Sequence, residues 1–305
     1  MMVGRNILIF HLGALGDFVL TWPLALALSR LHPQSRVIYV THAQKGELAE
    51  RALGVESTDI ELGWHHLYGE ADRLPAAAGR MIGGAHSIYS FIAGSEDAWS
   101  QQVRAVAGEV DLMCLDPKPS GGAGHVTDGL LGQLASRPAV REAVRLMIRS
   151  INQQGLRGRK GGGGVVAIHP GSGSAEKCWP ASSYLELARR VRGLGHSVRI
   201  LIGEVEEARW PVSQIDAFGE FGEVHRPRRY VDLYERLAES GVYVGNDSGP
   251  THLAGMLGLA TVSIFGPSDA GVWRPLGPRV EVIQRMPMDR IEVREVLELV
   301  EVLLQ

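Results

Sequence analysis

Asn246, Asp247, Ser248, Thr251 and His252 crowd one junction, YVGNDSGPTHLAG, from Tyr243 to Gly255. Val242 to Gly245 reads as the end of a strand, Asn246 to Ser248 can cap, and Gly249 and Pro250 let a helix begin with its first amides free. An anion seated there gains backbone hydrogen bonds and the positive end of the helix dipole. Asp247 does not fit a bare phosphate site, because a carboxylate repels a phosphate. Either it turns away to cap the helix, or it faces a hydrogen-bond donor such as a sugar hydroxyl or a protonated group.

Two other stretches have comparable chemistry. HPGSGSAEKCWP, His169 to Pro180, offers the amides of Gly171 and Gly173, the hydroxyls of Ser172 and Ser174 and the cation of Lys177. Together these describe a phosphate cradle, although the spacing is not that of a Walker lysine motif. The bland alternative is a flexible loop. HLGALGDF, His11 to Phe18, lets the backbone turn at Gly13 and Gly16 and sets Asp17 in the first turn of a helix. There Asp17 either complements the helix dipole or, facing a cleft, serves as a general base.

Each of these loops must be held by a strand before it and a helix after it. Arg5–His11, Arg36–Thr41, His86–Ile92 and Val110–Leu115 read as strands of the first half, with a helix over Gly16–Leu31. After QQGLRGRKGGGG the pattern restarts, with strands at Val165–His169, Ser197–Gly203, Val242–Gly245 and Ala260–Phe265. Helices are expected at Pro180–Leu194, Val231–Ser240, Gly249–Leu257 and Ile291–Leu304. Such alternation implies parallel sheets covered by helices, where ligands sit beyond the carboxyl ends of strands. The glycine run marks a linker, which divides the chain into domains at 1–158 and 159–290 with a closing helix at 291–305.

Composition narrows the field of partners. With 31 basic and 34 acidic residues and a net charge of −3, the 305-residue chain has no electrostatic hold on nucleic acid or anionic lipid. Cys114 and Cys178 stand far apart, so no disulfide framework or zinc site is suggested, and the histidines lack metal-ligand spacing. No run of 18 apolar residues occurs, so a cytoplasmic protein without a membrane span is expected.

Three pieces, ILIFHLGALGDFVLTWPLALALSRLHP, AIHPGSGSAEKCWP and YVGNDSGPTHLAGMLGLATVSIFGPSD, lie in the order and spacing of one family. Through them the sequence resembles the glycosyltransferase family 9 heptosyltransferases, which transfer heptose from ADP-heptose to lipopolysaccharide. The resemblance implies an α/β GT-B fold, two Rossmann-like doubly wound domains facing across a cleft, with the acceptor on the first domain and the nucleotide-sugar donor on the second. The closing helix would cross back to the first domain.

The family inverts configuration. By resemblance Asp17 is the base that takes the acceptor's proton, and Lys177 neutralises the departing diphosphate beside Ser172 and Ser174. Ser248, Gly249, Pro250, Thr251 and His252 form the phosphate-binding turn, and Asp247 contacts the sugar. Among Glu204, Glu206 and Glu207, the resemblance and spacing favour Glu207 for the nucleotide ribose. His11, Gly13 and Gly16 fall on the acceptor side. No Asp-x-Asp element is present, so no metal or other cofactor is expected, because Lys177 and helix amides can handle the diphosphate charge. Gly54–Ala85 aligns with nothing in the family. A non-catalytic nucleotide-sugar binding protein and a GT-B epimerase or phosphorylase are the competing readings.

Overall fold

The computed structural model describes residues 6–69, 71–117, 124–156 and 164–305. The chain divides into two compact units, Met1–Gly122 with Val126–Met147, and Ala123–His125 with Ile148–Gln305.

The first unit holds a five-stranded parallel sheet. Its strands are β1 (Asn6–Phe10), β2 (Arg36–Thr41), β3 (Glu56–Asp59), β4 (Ala85–Ser90) and β5 (Asp111–Cys114), in the order β3-β2-β1-β4-β5. β1, NILIF, is buried along its whole length, as a central parallel strand covered on both faces must be. Phe10 meets Trp64 and Trp99 edge to face at centroid distances of 5.4 and 4.8 Å, within a core that also takes in Leu8, Ile38, Val40 and Ile88.

The second unit holds six parallel strands, β6 (Val165–His169), β7 (Ser197–Leu201), β8 (Glu223–His225), β9 (Val242–Asn246), β10 (Ala260–Phe265) and β11 (Val280–Gln284). They run β11-β10-β9-β6-β7-β8, the doubly wound order in which the chain reverses direction between β6 and β9. The corresponding reversal in the first sheet lies between β1 and β4.

One sequence expectation needs correction. The helix expected over Gly16–Leu31 is two, Leu15–Leu20 and Trp22–Leu31. Pro23 lacks the N–H that a continuous helix would bond to Val19, and the Thr21 hydroxyl donates to Phe18 O at 2.7 Å at the break. The two compact units divide at Met147/Ile148, inside the helix Pro138–Gln154, where the sequence set its boundary at 158/159. Most of the glycine run expected as the linker lies outside the described residues.

The closing helix, Val293–Leu304, belongs to the second unit. Val296, Val300 and Leu303, one turn apart on one stripe, enter the second core beside Tyr184, Leu187 and Val191. The Nε1–H of Trp179 donates to Ile291 O at 3.0 Å, tying the approach to that helix to the site loop.

Candidate functional site

Because β6 and β9 are neighbours, pairing His169 with Gly245, the loops that follow them leave the sheet side by side. Asn246, with no exposed surface, joins them. Its Oδ1 accepts from Trp179 N–H and from the Tyr184 hydroxyl, both at 2.9 Å, and its Nδ2 donates to the carbonyls of Pro170 (2.9 Å) and Gly171 (3.1 Å). All the bonding capacity of one buried amide is therefore spent on fixing one loop against the other. Ser172 adds a second clip, its hydroxyl donating to Asp247 O at 2.9 Å.

Held in this way, Lys177 Nζ lies 2.7 Å from Asp247 Oδ2, and His252 Nε2 lies 3.7 Å from Asp247 Oδ1. The Asp247 side chain is 7% exposed, whereas that of Lys177 is 37% exposed. Burial pushes the Asp247 carboxyl up, but His252, Lys177 and Ser268 beside it outweigh that and hold the group well below the usual carboxylate range. The result is a buried anion with a cation at its open side. Both options left by the sequence for Asp247 are thereby narrowed, since its carboxylate pairs with the Lys177 ammonium and the cap of the following helix has no side-chain hydrogen bond.

That helix, Gly249–Leu257, begins at Ser248, with Pro250 in its first turn. Ser248, Gly249 and Pro250 are half-buried, whereas Thr251 and His252 are buried. The Thr251 hydroxyl is spent internally, donating to Asn246 O and lying 3.1 Å from the hydroxyls of Tyr243 and Ser248. Its role is to set the turn, and the half-buried start of the helix is the surface open to an anion.

On the other flank of β6, Glu206 is 3% exposed and accepts from Gly203 N–H at 2.8 Å, with His169 Nε2 at 3.6 Å. Burial raises its carboxyl, and the His169 and backbone hydrogen bonds bring it below the ordinary range. A Cβ at Gly171 would stand 1.7 Å from Glu206 Oε1, so this position has room only for glycine. Arg209, which shares the short helix Glu204–Arg209 with Glu206, donates to Gly173 O at 3.3 Å. Glu207 forms ion pairs with Arg226 (3.2 Å) and Arg228 (2.5 Å), and Glu204 is exposed. Ser174, also exposed, stands at the start of the short 3-10 turn Ala175–Lys177.

The first unit gathers the other candidates at its own reversal point. His11 is 1% exposed, and among the described residues neither ring nitrogen has a hydrogen-bond partner. A Cβ on Gly13 would lie 2.9 Å from His11 Cε1, 3.2 Å from its Nε2 and 3.4 Å from Asp17 Cβ, so the bare face of Gly13 is what separates histidine from aspartate. Asp17 sits in the first turn of Leu15–Leu20, and Gly16 beside it is half-buried. Sequence reasoning missed Lys45, which donates to Gly13 O at 2.6 Å and Leu12 O at 3.3 Å. It also missed Asn246 as the joint and Ser268 as a partner of Asp247. The signal for Asn246 was an Asn ending a fully buried strand.

Residues 137–297, more than half of the chain, match the family model described as glycosyltransferase family 9 (heptosyltransferase). The chain belongs to glycosyltransferase family 9. Solved structures share the family's GT-B fold with it. The family 9 glycosyltransferase of Veillonella parvula is 17% identical over 100% of this chain and 98% of its own, with a TM-score of 0.71. The ADP-heptose lps heptosyltransferase II of E. coli is 19% identical over 98% of both chains, with a TM-score of 0.69. The E. coli heptosyltransferase WaaC with ADP is 14% identical over 98% and 99%, with a TM-score of 0.71. No curated protein matches the chain in sequence. Family membership makes the protein a glycosyltransferase. Among the described residues, no helix is long and apolar enough to cross a membrane, and no three His, Cys, Asp or Glu are grouped to hold a metal ion.

Proposed function

We propose that this protein is an inverting glycosyltransferase that moves a heptose or related sugar from an ADP-linked donor to a lipopolysaccharide core or related glycan. The observation that carries this reading is the Lys177–Asp247 pair at the β6/β9 reversal, a cation and a buried anion beside a free helix start. A sugar diphosphate presents the matching chemistry, phosphate oxygens for Lys177 and the helix amides, and hydroxyls for Asp247. The solved relatives bound to ADP and to an ADP-heptose analogue support the adenine nucleotide.

In the reaction, the acceptor O–H gives its proton to the Asp17 carboxylate as its oxygen bonds to the anomeric carbon. The bond from that carbon to the diphosphate oxygen breaks, and its electron pair leaves with the phosphate. Lys177 and the amides at Ser248–Gly249 meet the charge that develops there, so the chemistry requires no metal. Glu206 is buried and spent on the Gly203 N–H, so the ribose falls to Glu207 or Glu204. Glu207 is preferred for its spacing from Gly203, and its partners Arg226 and Arg228 are exposed arginines that a ligand can displace. His11, Gly13 and Gly16 line the acceptor side. The protein would act in the cytoplasm, with at most a peripheral hold on the inner membrane.

Thermal-shift measurements with ADP-heptose, ADP, UDP-sugars and GDP-sugars test the donor, and stabilisation by only the uridine or guanosine compounds sinks the ADP reading. Asp17→Ala should lower kcat by about two to four orders of magnitude, the usual worth of a general base, with ADP binding unchanged. Equal loss of binding would make Asp17 structural. Release of free sugar without acceptor would identify an epimerase, and donor binding with no turnover would identify a binding protein.

A further inference from the structure

Lys45 is a lysine with only 6% of its surface exposed, on the first turn of the helix Ala43–Leu53 that follows β2. Lysine is seldom buried without a reason, since removing its charge from water costs several kcal/mol unless the ammonium is partnered. Its described hydrogen bonds go to two backbone carbonyls, Gly13 at 2.6 Å and Leu12 at 3.3 Å, and both belong to the turn that leads into Asp17. Burial holds the ammonium below its ordinary range, and the negative charge of Asp17 partly restores it. The other titratable group facing it is His11, whose ring feels the Lys45 charge and stays neutral. The bare Gly13 face lies between the His11 ring and the Asp17 stem.

The geometry points to Lys45 as a positioning residue for Asp17: it pins the Leu12–Gly13 turn by its carbonyls and holds the aspartate, by charge, over the glycine face where a hydroxyl would approach. The inference rests on reading Asp17 as the base. Lys45 itself touches neither donor nor acceptor in this account. Its effect is on the fraction of time the carboxylate spends in the reactive geometry, so it bears on kcat and not on donor affinity. After transfer, the proton rests on Asp17, and Lys45 keeps its own three protons throughout.

The test uses the full-length protein with ADP-heptose and purified lipopolysaccharide core, comparing Lys45→Met, Lys45→Gln and Lys45→Arg with wild type and Asp17→Asn. Lys45→Met should lower kcat about tenfold to a hundredfold, with donor KM and ADP affinity by calorimetry within twofold. Lys45→Arg, which keeps charge and donors, should recover most of the rate. Lys45→Gln, which keeps a donor without charge, should fall between, and it decides the matter if Lys45→Met does not fold. A folded Lys45→Gln with wild-type kcat would overturn the inference, as would loss of kcat and ADP affinity in parallel. If Asp17→Asn itself retains transfer, the reading of the base has failed. If Asp17→Asn is dead while all folded Lys45 variants are active, the base stands and only the role of Lys45 falls.

Discussion

Lys177 Nζ and Asp247 Oδ2 are 2.7 Å apart, so the cation proposed to receive a diphosphate is already bound to the carboxylate proposed to receive a sugar. A donor must therefore enter an existing ion pair, and each partner is held for the ligand by the other.

Lys177→Ala should weaken ADP binding by about tenfold to a hundredfold, the worth of one charge-assisted hydrogen bond. It also leaves Asp247 buried without its ammonium. Titration calorimetry measures the first effect, and an affinity within twofold of wild type would remove Lys177 from the phosphate site. The double variant Lys177→Ala/Asp247→Asn should melt higher than Lys177→Ala alone, because the orphaned charge is gone.

Asn246→Ala should cost about 2–4 kcal/mol of stability in urea unfolding, because Trp179 N–H, the Tyr184 hydroxyl and the carbonyls of Pro170 and Gly171 lose buried partners together. A loss below about 0.5 kcal/mol would show that the loops do not depend on this amide.

His11 carries a pH signature. Burial, with the Lys45 charge adding to it, brings its pKa down to about 3, against about 6.5 in an unfolded chain. Above pH 6.5 neither state binds the proton and the group contributes no pH dependence. As pH falls from 6.5 towards 3, only the unfolded chain takes the proton, and stability is lost at up to about 1.4 kcal/mol per pH unit. Melting curves of His11→Gln should therefore fall less steeply than those of wild type between pH 6.5 and 4. Parallel curves would contradict the buried, neutral assignment.

Gly171→Ala should lower both the melting temperature and ADP affinity, because the added methyl would occupy the place of Glu206 Oε1. Glu206→Ala in the same chain should restore part of the loss, a non-additivity that expresses direct contact. Additive defects in the double variant would argue against the clash.

The elements that were readable share one property, a dense apolar run with turn residues at its ends. The strands Arg36–Thr41, Val165–His169 and Ala260–Phe265 and the helix Gly249–Leu257 have the bounds expected from sequence. Glu56–Asp59 and Glu223–His225 were not readable, because these short polar strands lie at sheet edges and exist through pairing with β2 and β7. The helix of Pro138–Gln154 passed unnoticed beside a glycine run that drew the boundary towards it. At the site, the residue types were visible, but their partners were not. That Asp247 pairs with Lys177, that Asn246 joins two loops and that Lys45 is buried all depend on which strands are neighbours, and local periodicity does not encode that.

The adjacency of β6 and β9 also bears on how the protein is made. Lys177 and Asp247 are separated by 70 residues, and the Asn246 bonds to the first loop span up to 76, so the pair is assembled by a non-local parallel contact of the slow-forming kind. Until β9 has docked on β6 the proposed donor site does not exist. A ligand of that proposed site would thus stabilise the finished second unit, yet it could not rescue a chain stalled before that strand arrives.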